Sequence, residues 1–222
     1  MCGRFALLTP GEIIAKAFAI DTIPEPLPPR YNIAPTQPVL AVRLSPHNQQ
    51  REFALFRWGL VPSWSKDIKI GARMINARAE TAAEKPSFRT SFKRRRCLIP
   101  ASGFYEWQKV NGRKQPMYIY PENGGIFAFA GLWEYWQSAD GSELQTCTIL
   151  TTTPNDLMAS IHNRMPVIVE PADFDMWLHP GPRSDDAHHL LRPYPADKMA
   201  AYAVSTAVNS PANDNPTCIA PL

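Results

Sequence analysis

Cys2, in the opening MCGRF, is the first residue whose type and place suggest chemistry. If Met1 is removed, which a small second residue generally permits, Cys2 offers an α-amine and a thiol on adjacent carbons. Three more polar residues sit inside segments that otherwise read as buried: Asn76 in MINARAE, Glu106 in IPASGFYEWQK and His162 in SIHNRMPVIV. Each also has a plainer reading. Asn76 could cap the helix after it, Glu106 in an alternating strand could face solvent, and His162 could close a short helix. Those alternatives stand open on the segments alone.

Trp64, in the Pro/Ser/Gly loop WGLVPSWS, could stack an exposed indole on a base or cover the edge of the core. The run KRRR at 93–96 reads either as a nucleic-acid patch or as a solvated face. His47, His179, His188 and His189 fall in loop or surface patterns and are assigned no chemistry. The net charge of +3 and a pI near 8.7 permit a nucleic-acid partner without demanding one. Fifteen of the 23 basic residues are arginine, the better side chain for bidentate phosphate contacts, which tilts the balance toward a polyanion.

The four cysteines, Cys2, Cys97, Cys147 and Cys218, form no CxxC pair and no zinc-ligand spacing, so no metal and no cofactor are expected. Free thiols imply a reducing, cytoplasmic compartment. The apolar stretch IIAKAFAI is short and interrupted by Lys16, unlike a secretory signal, and no run is long enough for a membrane span.

The elements that must position these residues are legible in outline. TPGEIIAKAFAI starts a helix, with Thr9 as cap, Pro10 in the first turn and Glu12 completing a capping box. The proline-studded stretch 21–38 is extended. VLAVRL and REFALFRWGL read as strands, and hairpins turn at Asn111-Gly112 and at Asp140-Gly141. Short helices are expected at 79–92, 154–161, 171–178 and 185–191, with Thr153 capping the second. With 45% apolar residues and no linker or repeat, residues 1–222 read as one α+β domain. Its largely antiparallel sheets curl around a core with helices outside.

Taken together, MCGRF, RYNIAPTQ, WGLVPSW, INARAET, RCLIPASGFYEW, FAGLW, IHNRMPV and VSTAVNS resemble the SRAP family in order and register. The resemblance spans residue 2 to about residue 215 and implies a pseudo-barrel of mixed sheets with flanking helices. It implies a monomeric protein that binds single-stranded DNA at abasic sites, in the cytoplasm or on the nucleoid, as part of the DNA damage response. By the same resemblance, the active-site residues are Cys2, Asn76, Glu106 and His162. The DNA contacts are Arg4, Arg78, Arg164 and Trp64, with Asn32 and Pro35 bordering the site. One departure is visible: many members carry an acidic residue where this chain has Ser102, which bears on local hydrogen bonding.

The implied reaction suits these side chains. The abasic sugar opens to an aldehyde, which only a neutral amine can capture. An α-amine titrates near about 8 and a lysine near about 10.4. At about pH 7.5, roughly a third of the first is neutral against about one in a thousand of the second. The cysteine sulfur then closes a thiazolidine ring on the imine carbon. A pocket-facing Glu106 would have a raised pKa and serve as general acid. His162 at a helix end would favour its protonated form, and Asn76 would hold the amine without adding charge. An imine also acidifies the neighbouring sugar proton, so a lyase side activity is expected. Two rivals share these residues: an N-terminal-nucleophile peptidase that removes its own Met1, and a non-covalent single-strand binding module.

Overall fold

Short apolar runs separated by proline and glycine make this a protein of strands. The computed structural model describes residues 2–22, 27–179 and 184–222. In chain order the strands are β1 (Phe5–Leu7), β2 (Arg30–Ile33), β3 (Pro38–Leu44), β4 (Arg51–Trp58), β5 (Asn76–Arg78), β6 (Arg96–Ala101), β7 (Gly103–Val110), β8 (Arg113–Pro121), β9 (Phe127–Gln137), β10 (Glu143–Thr152), β11 (Met165–Pro166) and β12 (Met199–Ala203). The helices are short: α1 (Gly11–Phe18), α2 (Ala79–Ala82), α3 (Arg89–Arg94), α4 (Asp156–Ala159) and α5 (Phe174–Leu178).

Strands β10, β4, β3, β6 and β9 close into a barrel, because β9 also pairs with β10. Closure removes the unpaired edges an open sheet would expose. Within the ring only β4–β10 is parallel. The far half of β10 also carries β5, parallel, and β11, antiparallel. The second sheet is antiparallel, in the order β12-β8-β7-β1-β2. One apolar cluster joins the two: Phe5 of β1 meets Trp58 and Phe129 of the barrel edge-on, at 5.3 and 5.9 Å. The expected α+β pseudo-barrel with flanking short helices is the observed fold.

Asn111 and Gly112 both take positive φ, 49° and 77°, which gives the β7–β8 hairpin the backbone of a primed turn. The helix starts differ from expectation. Thr9 does not cap α1; its hydroxyl lies 3.0 Å from that of Ser102, and Pro10 occupies the cap position. Ser102 also accepts from the backbone N–H of Leu8 at 2.8 Å, so it ties the end of β1 to the β6–β7 corner. Asn155, not Thr153, caps α4, by accepting from the N–H of Met158 at 2.9 Å. The single helix expected over 79–92 is two, α2 and α3, with Pro86 between them removing a donor. The segment 171–178 opens as a 3-10 turn, Pro171–Asp173, before α5, and Ser184–Leu190 is 3-10 throughout.

Candidate active site

Cys2 is wholly buried just ahead of β1. The β1–β7 pairing extends back toward it, because the N–H of Tyr105 donates to the carbonyl of Arg4 at 3.0 Å. That register brings Glu106, only 2% exposed, abreast of the first residues. Burial raises the Glu106 carboxyl above its ordinary 4.5, opposed in part by His162. Burial also pushes the Cys2 thiol well above its ordinary 9.0, and the neighbouring Glu106 carboxylate pushes it further. Both effects oppose ionisation of the sulfur.

His162 Nε2 stands 3.9 Å from Glu106 Oε2. Its ring is set by the backbone: the N–H of Arg164 donates to Nδ1 at 3.1 Å, which leaves the ring's proton on Nε2, facing Glu106. This arrangement, rather than the dipole of a four-residue helix, orients the imidazole. Two braces hold the turn in place. Gln108 of β7 donates to the carbonyl of Ser160 at 2.9 Å. Arg164 grips both carboxylate oxygens of Glu80, at 2.6 and 2.9 Å, and donates to the carbonyl of Thr151 at 2.6 Å. The guanidinium hydrogen bonds hold the Glu80 carboxyl below its ordinary 4.5. Glu106 and His162 share a cavity of about 410 Å³ with Trp107, Lys114 and Asn209.

Asn76 opens β5 and does not cap α2; among the described residues its Nδ2 reaches the carbonyl of Ile149, at 3.4 Å. Its Oδ1 is buried with no hydrogen-bond partner among the described residues. Such an orphaned acceptor suits a donor brought by substrate or by an amine. The long loop between β4 and β5 is closed at its base where Gly59 meets Gly71. Gly59 has φ +124°, and a Cβ there would lie 2.6 Å from the Gly71 carbonyl oxygen. Trp136 donates to the carbonyl of Ser65 at 2.7 Å, fixing the outer end of the loop. Beside that anchor Trp64 stands 59% exposed, as a stacking platform requires. Arg78, at the end of β5, is also exposed.

Arg4 and Asn32 sit differently from surface DNA contacts. Arg4 donates to Asn32 Oδ1 at 2.9 Å and to the carbonyls of Val208 and Asn209 at 2.7 and 3.0 Å. Asn32, fully buried, donates from Nδ2 to Val208, Ser210 and Asn213. Asp214 closes the clamp by accepting from the N–H groups of Tyr31 and Asn32 and pairing with Arg30. The turn so held carries Asn209, whose Oδ1 accepts from Trp107 Nε1 at 2.7 Å and walls the cavity. Pro35 is half-buried in the next turn, where Thr36 is held at φ 71° by its N–H bond to the Trp58 carbonyl, at 2.8 Å. Asn32→Ala should take one of three acceptors from Arg4 and remove a donor from the carbonyls of Val208, Ser210 and Asn213, costing about 3 kcal/mol. For a chain of this size that lowers Tm by roughly 6–12 °C, read by thermal denaturation.

Residues 1–211 match the family described as SOS response associated peptidase, SRAP. The chain belongs to the SRAP family. It is 48% identical over 223 residues to the abasic site processing protein YoqW of Bacillus subtilis (strain 168), spanning 99% of each chain. It is 32% identical over 272 residues to the abasic site processing protein HMCES of Pongo abelii, spanning all of this chain and 76% of that one. A protein of Bacteroides thetaiotaomicron has the same fold, with a TM-score of 0.89 at 28% identity over the whole of both chains.

In this SRAP chain the site residues expected from sequence separate into three roles by geometry. Cys2, Glu106 and His162 converge, with Asn76 offering an unpartnered acceptor. Trp64 and Arg78 face outward, while Arg4, Asn32 and Arg164 are spent on internal partners. Trp107, Lys114 and Asn209 line the cavity at Glu106 without having been singled out by type. Trp107 and Asn209 lie within matched SRAP segments, FYEW and VNS. Lys114 has no such signal, since a hairpin lysine looks like solvated surface. Among the described residues no His/Cys/Asp/Glu group is arranged to hold a metal ion, and no helix is long and apolar enough to cross a membrane.

Proposed function

We propose that this chain captures abasic sites in single-stranded DNA through a covalent bond to Cys2. The observation that carries the reading is the buried Cys2 beside a Glu106 of raised pKa, with His162 Nε2 3.9 Å from that carboxylate. Its relatives are named for abasic site processing. After loss of Met1, which lies outside the described residues, the Cys2 amine adds to the ring-opened aldehyde. Protonated Glu106 supplies the proton with which the carbinolamine hydroxyl leaves as water. The S–H then adds across the imine, sulfur to carbon and hydrogen to nitrogen, and closes the thiazolidine. One water is lost overall.

The iminium N–H formed as water leaves would return its proton to the Glu106 carboxylate, beside which His162 presents Nε2–H, and the exposed Trp64 and Arg78 would hold the strand. Before the sulfur closes, the imine permits β-elimination, the basis of a lyase side activity. Thiol-first peptide hydrolysis fits less well, because that chemistry needs an easily ionised sulfur and both burial and Glu106 oppose ionisation. Intact-mass measurement after mixing with an abasic strand and an undamaged control tests the proposal. The expected product is protein lacking Met1 plus strand less one water, in the abasic sample alone. An unshifted mass in both samples would refute it.

A further inference from the structure

The run Lys93–Arg96 does not act as one patch. Arg95 pairs with Glu134 at 2.7 Å. Arg96 is buried, donates to the carbonyl of Phe92 at 2.7 Å and lies over the rings of Phe92 and Trp177. Lys93 and Arg94 turn outward on α3 with Arg89, four residues before Lys93 and so on the same face. These three cations wall a cavity of about 560 Å³ together with Thr90, Phe92 and His188, with no carboxylate among the described lining residues. The His188 ring packs on Phe92 at 5.1 Å and forms the far side.

This cleft shares no residue with the cavity at Glu106, yet chain connectivity joins the two regions. Arg78 ends β5, α2 follows at once, and α3 comes one turn later. Over residues 78–94 the exposed cations are Arg78, Lys85, Arg89, Lys93 and Arg94. Of the two carboxylates in that stretch, Glu80 is consumed by Arg164, which leaves Glu84. Along the chain from Arg78 to the three-cation cleft, five exposed cations thus face one carboxylate not paired with Arg164.

We propose that the cleft of Arg89, Lys93 and Arg94 is a second nucleic-acid site, which takes the phosphodiester backbone of the strand flanking the abasic nucleotide. It rests on the proposed function for its partner, and it makes its own claim about where the flank runs. A phosphate is the ligand of choice because Arg forks and a Lys point charge surround a space with a hydroxyl donor and, among the described lining residues, no carboxylate.

The test compares wild type with the variant Arg89→Ala/Lys93→Ala/Arg94→Ala, using undamaged single strands that are either long or just long enough to cover the Cys2 region. Losing three phosphate contacts should flatten the salt dependence of long-strand binding by about 2 in log–log slope. At about 0.1 M salt it should weaken that binding roughly 10- to 100-fold. Short-strand binding and the rate of covalent capture of a short abasic strand should not change. An unaltered slope and affinity for the long strand would overturn the proposal, as would an equal loss for the short one. So would an acidic peptide that binds wild type as tightly as the strand and is lost in the same variant. If wild type forms no covalent product, the capture reaction fails while the long-strand comparison still decides the cleft.

Discussion

Cys2→Ala should abolish the durable protein–DNA product, while borohydride should still trap an imine to the same abasic strand. The two halves of the result separate the amine from the sulfur. The alanine variant keeps the α-amine, whose neutral fraction is several hundred times that of a lysine at about pH 7.5, so carbonyl capture continues. It has no second nucleophile to consume the imine, which hydrolyses or eliminates. Strand cleavage should therefore rise as the stable product falls. Cys2→Ser should behave almost alike, because a hydroxyl gives up its proton far less readily than a thiol. Denaturing electrophoresis with and without borohydride reads all three outcomes. No trapped species in the alanine variant would remove the amine from the mechanism.

Glu106→Gln should slow adduct formation by roughly 10²- to 10⁴-fold, the usual contribution of a placed general acid, and should also raise Tm at neutral pH. The gain follows from linkage. Burial lifts the folded-state pKa of Glu106 above its ordinary 4.5, so the native chain holds this proton more tightly than the unfolded one. The stability it contributes is fully present below the ordinary value and is lost as pH rises through the raised one. Glutamine carries no charge to desolvate, so its Tm advantage over wild type should grow with pH across that window and vanish in acid. The rate profile should change as well. In wild type the proposed reaction should need a neutral amine, favoured at high pH, together with a protonated Glu106, favoured at low pH, which should give a bell. In the variant the descending limb should disappear. A variant with an unchanged bell, or with lower Tm at neutral pH, would mean that Glu106 is held by something other than a costly burial.

How much of this was legible beforehand varies with the physics behind each feature. The Asn111-Gly112 hairpin was readable because a primed turn needs two residues of positive φ, a purely local demand. The α1 cap was misread because Thr9 had a better partner 93 residues away, in Ser102. The helix expected over 79–92 split at Pro86, a local signal. Glu106 was a candidate from its aromatic neighbours, but whether it faced solvent or interior depended on β1 lying against β7.

From sequence alone came the strand-rich α+β class, the family, and the proposed candidates Cys2, Asn76, Glu106 and His162. Residue type determines what a side chain can do, and ordered motifs carry that information without coordinates. Tertiary structure alone decided the division of labour among the cations. Arginine is the same fork whether it meets a phosphate, a carboxylate or a backbone carbonyl. Only chain closure shows that Arg4 clamps the 208–214 turn and Arg164 grips Glu80, while Arg78 is left facing solvent. The same holds for Lys93–Arg96, where a uniform run of charge became two structural arginines and two surface cations once α3 had packed against the barrel.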